Sequence, residues 1–254
     1  IAPFGGLLID LYGLTGMRLS YLIAGLLGVA AAWFRTKFLK ETLLSEEKSV
    51  PENVLKNIGK SYYETFHVLK EIPKPVLLVL LTSILFSTPS IVVFFLYGVV
   101  YAREVVKISM SEWGLYTSLA SISSLITGLL ATQIIEKYER RFFVTLSATT
   151  LGINYLLLYF IPSPWTICLT LILFRVIGSL YTSSWGAYVV DMVKPEFRGR
   201  IYALINIFDV IGYTWSSLFF GYLYSINYGY AFIISSLFAF IDALTLFFIM
   251  RPDH

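Results

Sequence analysis

Ionisable side chains inside long apolar stretches are the residues of this chain that could do chemistry. Arg175, Asp209 and Asp242 each lie well inside such a stretch. At 1.5 Å of helix rise per residue, Asp209 lies about 14 Å from Arg200, and Asp242 lies about 14 Å from Arg251. Charged residues at this depth in a hydrocarbon layer are costly, and they usually face a bundle interior where an ion or a solute is handled.

Polar neighbours at helical spacing extend these positions into faces. Asn206 and Tyr213 share one helix face with Asp209. We expect Asp209, with Asn206, to bind a proton or a cationic group, and Arg175 to hold an anionic group or to pair with Asp209. A buried Arg175–Asp209 pair that only fixes helix packing is the alternative. Asp242 is a further candidate, for which a structural hydrogen bond or pairing is the expected role.

Two other segments present polar faces of the same kind. One face of the segment 164–190 carries Arg175, Ser179, Thr182 and Gly186. One face of the segment 74–101 carries Ser83, Ser87, Ser90, Phe94, Tyr97 and Tyr101. Together with the face around Asp209, these patterns predict that three helices line a hydrated cavity.

The same residues argue against the membrane-enzyme classes that this chain could represent. Both histidines, His67 and His254, lie outside the apolar stretches, so neither a histidine metal site nor a histidine base is available within them. The acids in the apolar stretches are single rather than clustered, and there is no Walker-type loop. We therefore expect no enzyme, no cofactor, no metal and no nucleic-acid partner. A polytopic enzyme or a non-transporting receptor remains the alternative of another class.

The elements that must position these side chains are long apolar segments. Apolar residues make up 57% of the 254 residues, and the mean hydropathy is +0.75. A hydrocarbon core about 30 Å thick requires about 20 helical residues. Segments of that length are 18–38, 74–101, 113–135, 142–161, 164–190, 200–225 and 228–250. Because they lack the short alternating runs of a barrel, they predict an all-α membrane protein in contact with the lipid bilayer.

Lysine and arginine predict the orientation, because cytoplasmic loops are enriched in them. On alternate connections, the side taken as external carries only Arg18, Arg103 and Lys107. The other side carries Arg35, Lys37, Lys40, Lys48, Lys56, Lys60, Lys70, Lys74, Lys137, Arg140, Arg141, Lys194, Arg198, Arg200 and Arg251. The sequence thus predicts a multi-pass protein of the plasma membrane whose C-terminus is cytoplasmic.

The chain divides into three regions by composition. Residues 1–39 hold a short apolar piece, too short to span a bilayer, followed by one full span. Residues 40–73 are polar, and apolar residues recur there on one helix face, which predicts an amphipathic helix on the cytoplasmic leaflet or a solvated linker helix. Residues 74–254 hold the remaining spans. The chain opens at Ile1, and we expect the first short piece to continue a helix that begins upstream.

Two connecting segments carry recognisable motifs. Segment 132–141 reads Thr-Gln-Ile-Ile-Glu-Lys-Tyr-Glu-Arg-Arg and resembles the cytoplasmic loop signature of the major facilitator superfamily. The matching positions are Glu136, Lys137, Tyr138, Arg140 and Arg141, whereas Thr132 and Glu139 stand where the family usually has glycine. Segment 191–200, Asp-Met-Val-Lys-Pro-Glu-Phe-Arg-Gly-Arg, is similar to the family's loop between the fourth and fifth helix of a six-helix half.

Two shorter matches lie nearer to the membrane interior. Arg175 with Gly178 resembles an intramembrane arginine and glycine of the family. Pro3-Phe4-Gly5-Gly6 is similar to the Pro-and-double-Gly end of the fifth helix in family antiporters. The resemblance implies a six-helix C-terminal bundle over 74–254, preceded by the end of helix five and by helix six, with the other N-terminal helices as a missing partner.

The resemblance also implies a function. The family consists of two-half transporters whose midplane site opens alternately to each side. We expect export of a small organic solute in exchange for protons, with proton-coupled uptake of a sugar or metabolite as the alternative. Charges at the cytoplasmic loops are the candidate gate in one state, or else ordinary anchors of topology. These gate residues are Glu136, Lys137, Arg140, Arg141, Asp191 and Arg198.

Overall fold

The computed structural model describes residues 2–38 and 72–250, and every regular element within those ranges is helical. The helices are α1 (Ala2–Tyr12), α2 (Leu14–Phe38), α3 (Lys74–Thr82), α4 (Thr88–Glu104), α5 (Met110–Ile135), α6 (Arg140–Phe160), α7 (Pro164–Met192), α8 (Arg198–Ile226) and α9 (Tyr228–Ile249). A π-helical turn, Ser83–Ser87, joins α3 to α4, and a 3-10 turn, Pro195–Phe197, precedes α8. Seven helical stretches are long and apolar enough to cross a membrane, which confirms the predicted class.

The helices begin and end close to where the sequence predicts. The largest difference is the start of the second helix, expected at residue 18 and found at Leu14. The predicted amphipathic helix falls almost entirely within residues 39–71, outside the described residues.

Local capping explains the short turns at one end of the bundle. Ser163 precedes α7, and its Oγ accepts a hydrogen bond from the Thr166 N–H at 3.2 Å. Asn227 precedes α9, and its Oδ1 accepts from the Gly229 N–H at 2.7 Å. Both side chains satisfy N–H groups that have no partner within the helix.

The core of the bundle contains two large apolar clusters with a polar layer between them, and a smaller third cluster of Ala131, Phe143 and Leu180. One cluster contains Leu80, Val144, Val189, Leu204 and Leu246. The other contains Val93, Tyr155, Leu171, Phe220 and Phe232. Between the two large clusters, α7, α8 and α9 hold the ionisable residues singled out above, and α3–α4 holds Ser83, Ser87 and Ser90. The bundle therefore places its charges at mid-height, as the helix-rise estimate requires.

Pro89 explains the π-helical turn. Proline has no N–H, and its ring clashes with the carbonyl four residues earlier in a regular helix. The backbone widens there, so that the Thr88 N–H donates to Ser83 O. In this pattern the Ile84 carbonyl would need a donor at position 89, and the Trp215 indole N–H from α8 supplies one at 3.1 Å. The distortion is thus offset by a contact between helices.

Small residues allow close packing of α5 on both sides. Within the bundle α5 packs against α7, where a Cβ at Gly128 would lie 3.3 Å from Ser179 Oγ. Both contacting residues are small, which allows the two helices to approach closely and indicates a packing seam.

On its other side α5 packs against α1. A Cβ at Gly6 would overlap the Met110 carbonyl group, so glycine is required for this approach. Asp10 accepts hydrogen bonds from the Met110 N–H at 3.0 Å and the Ser111 N–H at 2.8 Å. The carboxylate therefore caps the N-terminus of α5 and ties α1 to it.

We predict that Gly6→Ala lowers the thermal stability of the detergent-purified protein. The added methyl group forces α1 away from α5, and overpacking of this kind costs about 1–3 kcal/mol. The control is Gly25→Ala in α2, where a Cβ would meet nothing within 4 Å. Equal unfolding temperatures for the two variants would show that the α1–α5 contact does not need glycine.

Candidate functional site

Asp209 lies half-buried in the polar layer and is held by hydroxyl groups. Thr88 Oγ1 donates to Asp209 Oδ1 at 3.2 Å, and Ser83 Oγ lies 3.5 Å from the same atom. Both hydroxyls come from the segment around the π-helical turn, and Asp209 comes from α8. The carboxylate is therefore partly solvated by the protein itself, with no positive charge bonded to it among the described residues.

Asp242 on α9 is the most deeply buried acid of this layer. Its side chain is 3% exposed, and Ser87 Oγ donates to Oδ2 at 2.6 Å. Oδ1 finds no hydrogen-bond donor among the described residues. The sequence favoured a structural hydrogen bond for Asp242, and Ser87 makes one with one oxygen while the other stays unpartnered.

A cavity of about 320 Å³ lies between α4, α5, α6, α7 and α9. Asp242 and Arg175 both line it, although no ion pair joins them. Arg175 is exposed and Asp242 is buried, so the guanidinium lies at the open end of the cavity and the carboxylate at its closed end. The other polar lining residues are Ser87, Ser90, Ser124, Ser147, Ser179, Tyr181 and Thr182.

The predicted pairing of Arg175 with Asp209 is not formed. Within residues 2–38 and 72–250, Arg175 makes no ion pair or hydrogen bond. The Asp209 carboxylate instead accepts hydrogen bonds from the hydroxyls of Thr88 and Ser83. Asn206 is exposed and Tyr213 is 41% exposed on the same side of α8, so these residues present a polar surface rather than a closed pair.

The serine-rich face predicted for segment 74–101 divides between neighbouring helices. Ser83 turns to Asp209 on α8, and Ser87 turns to Asp242 on α9. Ser90 Oγ approaches the Ser235 carbonyl on α9 at 3.3 Å, while Tyr97 Oη donates to the Ser217 carbonyl on α8 at 3.0 Å. The π-helical turn adds to this division, because an extra residue in one turn rotates the remainder of the helix about its axis.

The loop charges make contacts within the bundle. Arg140 at the start of α6 forms an ion pair with Asp191 near the end of α7. Arg141 pairs instead with Glu139 at 3.0 Å. Arg198 Nη2 donates to the Val190 carbonyl at 2.9 Å. Two of the candidate gate residues, Arg140 and Asp191, are thus paired with each other.

The remaining two candidates of this loop, Glu136 and Lys137, follow the end of α5 and have no ion pair among the described residues.

Arg141 also lies 4.5 Å from the centre of the Phe247 ring on α9, within the range of a cation–π contact. This end of the bundle, called the basic end below, is therefore tied across α6, α7 and α9.

The comparison with known families decides the identity of this arrangement. The family model described as Major Facilitator Superfamily matches residues 95–254. The chain belongs to that superfamily. As a member, it is a multi-pass membrane transporter, and the match covers the C-terminal portion of the fold, as the motifs at 132–141 and 191–200 indicated. A comparison with curated proteins gives no significant match.

Three features of this transporter's polar layer were not predicted from the sequence. Ser87 was assigned only to a general polar face, although it bonds the buried acid. Pro89 inside an apolar stretch was the available signal for a distorted helix. Ser147 on α6 lines the cavity, and no charged neighbour in the sequence marked it.

We predict that Ser87→Ala lowers the free energy of unfolding by about 1–3 kcal/mol, because it removes the one donor bonded to a buried carboxylate. Thermal unfolding in detergent measures this. Ser183→Ala is the control, since the Ser183 hydroxyl is exposed and bonds only the Ser179 carbonyl of its own helix. The double variant Ser87→Ala/Asp242→Asn should recover part of the loss, and a double variant as unstable as the sum of its singles would contradict the coupling.

Proposed function

We propose that this protein is a secondary transporter that exports a small organic solute across the plasma membrane in exchange for protons, by alternating access. Its membership of the superfamily supports transport. The observation that carries the proton coupling is the half-buried carboxylate of Asp209, which is held at mid-height by hydroxyl groups and bonded to no cation of the described residues.

Hydroxyl partners suit a carboxylate that changes protonation state. An ionised carboxylate accepts hydrogen bonds from both hydroxyls, whereas a protonated one donates a hydrogen bond and still accepts. Thr88 and Ser83 can reorient their O–H groups for either state, and a bonded arginine could not. Asp209 therefore holds a proton in one part of the cycle and releases it in another.

The solute contacts in this proposal are polar groups at mid-height on three helices. Asn206 and Tyr213 offer amide and phenol groups on the exposed side of α8. Arg175 on α7 and Asp242 on α9 offer a guanidinium and a carboxyl group that line one cavity. These residues can form hydrogen bonds and ion pairs with a polar organic solute during its passage through a low-dielectric layer.

Alternating access needs contacts that close each end in turn. At the basic end, the Arg140–Asp191 pair and the Arg198–Val190 bond hold α6, α7 and α8 together. At the opposite end, Asp10 caps α5 and ties α1 to it. Because the Arg140–Asp191 pair and the Asp10 contacts are exposed polar contacts, each costs little to break in one half of the cycle.

The direction of transport in this proposal rests on the resemblance of Pro3-Phe4-Gly5-Gly6 to the family's antiporters. The orientation rests on the excess of lysine and arginine at the basic end, which places that end and the C-terminus in the cytoplasm. Proton-coupled uptake of a sugar or metabolite is the alternative, and the sign of the proton movement separates the two.

The test uses the intact protein in liposomes that contain a pH-sensitive dye. Glucose, benzoate, ethidium and leucine are added outside in separate runs. In antiport, solute entry drives protons out and the lumen becomes alkaline; in symport, the lumen becomes acidic. We expect alkalinisation with at least one solute. If the dye signal with every solute equals that of liposomes without the protein, proton-coupled transport of these solute classes is contradicted.

We predict that Asp209→Asn abolishes the solute-driven proton movement and removes the pH dependence of solute flux, because the amide cannot carry a proton through the cycle. The matched control is Glu196→Gln, which removes an acid from the exposed 3-10 turn before the same helix. An unchanged rate and unchanged pH dependence in Asp209→Asn would exclude Asp209 from coupling.

A further inference from the structure

The cavity between α4, α5, α6, α7 and α9 is lined by a guanidinium and a carboxyl group that do not touch. Arg175 lines its exposed end and Asp242 lines its buried end. No ion pair joins them, and Arg175 bonds no other described residue. Ionisation of the buried Asp242 carboxyl group is costly without a cationic partner.

The buried end of the cavity has an unused acceptor. Asp242 is 3% exposed, and Ser87 Oγ occupies only Oδ2. Oδ1 has no donor among the residues described. An ionised oxygen in this position calls for a donor from within the cavity, and a cationic N–H group makes the strongest such bond.

The exposed end presents the complementary chemistry. The Arg175 guanidinium carries five N–H donors in a planar fork that matches a carboxylate in two parallel bonds. Ser179 and Thr182, one helical turn and two turns further along α7, line the same cavity. An anionic group entering from the exposed side therefore meets the arginine first.

We infer that this cavity is the solute site and that its ligand is a small zwitterion, namely an α-amino acid. The carboxylate of the amino acid pairs with Arg175, and its ammonium group donates to Asp242 Oδ1. A molecule with both charges offers a partner to Arg175 and to Asp242 at once, whereas a singly charged molecule leaves one of the two groups unpaired. The inference rests on the proposed transport function and names its substrate class.

The size and walls of the cavity agree with such a ligand. About 320 Å³ lies at the low end of the range of about 300–1,000 Å³ for ligand pockets, which limits the solute to a small molecule. Phe95, Phe174, Leu151 and Ala148 supply apolar wall, which suits an aliphatic or aromatic side chain that projects from the Cα between the two charged groups.

The test is equilibrium binding to the purified intact protein in detergent, measured by calorimetry. The probes are glycine, L-leucine and L-phenylalanine. L-Leucine is compared with two analogues that each lack one charge, 3-methylbutylamine and 4-methylpentanoate. We expect at least one amino acid to bind, and each single-charge analogue to bind at least about tenfold more weakly, as the loss of a charge-assisted hydrogen bond implies.

Variants assign each charge to its end. Asp242→Asn should weaken binding of the amino acid at least about tenfold and leave that of 4-methylpentanoate within about twofold. Arg175→Gln should weaken the amino acid likewise and leave 3-methylbutylamine within about twofold. The controls are Arg103→Gln and Glu104→Gln at the end of α4, which lie outside the cavity lining. Gel filtration and thermal unfolding without ligand establish that each variant is folded.

Two outcomes overturn the inference. One is binding of none of the three amino acids. The other is equal affinity for leucine and its single-charge analogues in the wild-type protein. The liposome assay keeps this result separate from the proposed function: proton movement driven by ethidium or glucose, without amino-acid binding, would preserve transport and reject the zwitterion site. Amino-acid binding without proton movement would preserve the zwitterion site and reject proton-coupled transport.

Discussion

An ionised group inside an apolar bundle must find polar partners, and most of the architecture between the two apolar clusters serves that need. Asp209 takes hydroxyls from Thr88 and Ser83, and Asp242 takes one from Ser87. All three donors come from one short stretch of backbone at the π-helical turn. The acids on two different helices thus depend on a single local distortion, and Pro89 is the residue that produces it.

The sequence was sufficient for the membrane class and for the positions of the helices, because both follow from hydrophobic length, which is a property of contiguous residues. Turns such as the one before α7 were also predictable, since Pro162, Ser163 and Pro164 punctuate the chain there. The depth of Asp209 and Asp242 followed from counting residues along a helix.

Contacts between helices were harder to predict. Arg175 and Asp209 lie at comparable depth in the membrane. The spacing of residues along each helix does not show that the two side chains have different neighbours. No partner for Asp242 was predicted from the sequence, and α9 turns this side chain inward to Ser87. A regular period of 3.6 residues also predicts one continuous polar face for segment 74–101. The widened turn interrupts that period, so the face is not continuous.

The widened turn has a further consequence for the helix that contains it. A π-helical turn holds one residue more than an α-helical turn. Deletion of one residue there would change the relative phase of the segment before Thr82 and the segment after Thr88 by about 100°, the angle of one helical residue. Insertion or loss of one codon in this stretch would therefore turn either Ser83 or Ser87 away from the acid that it contacts.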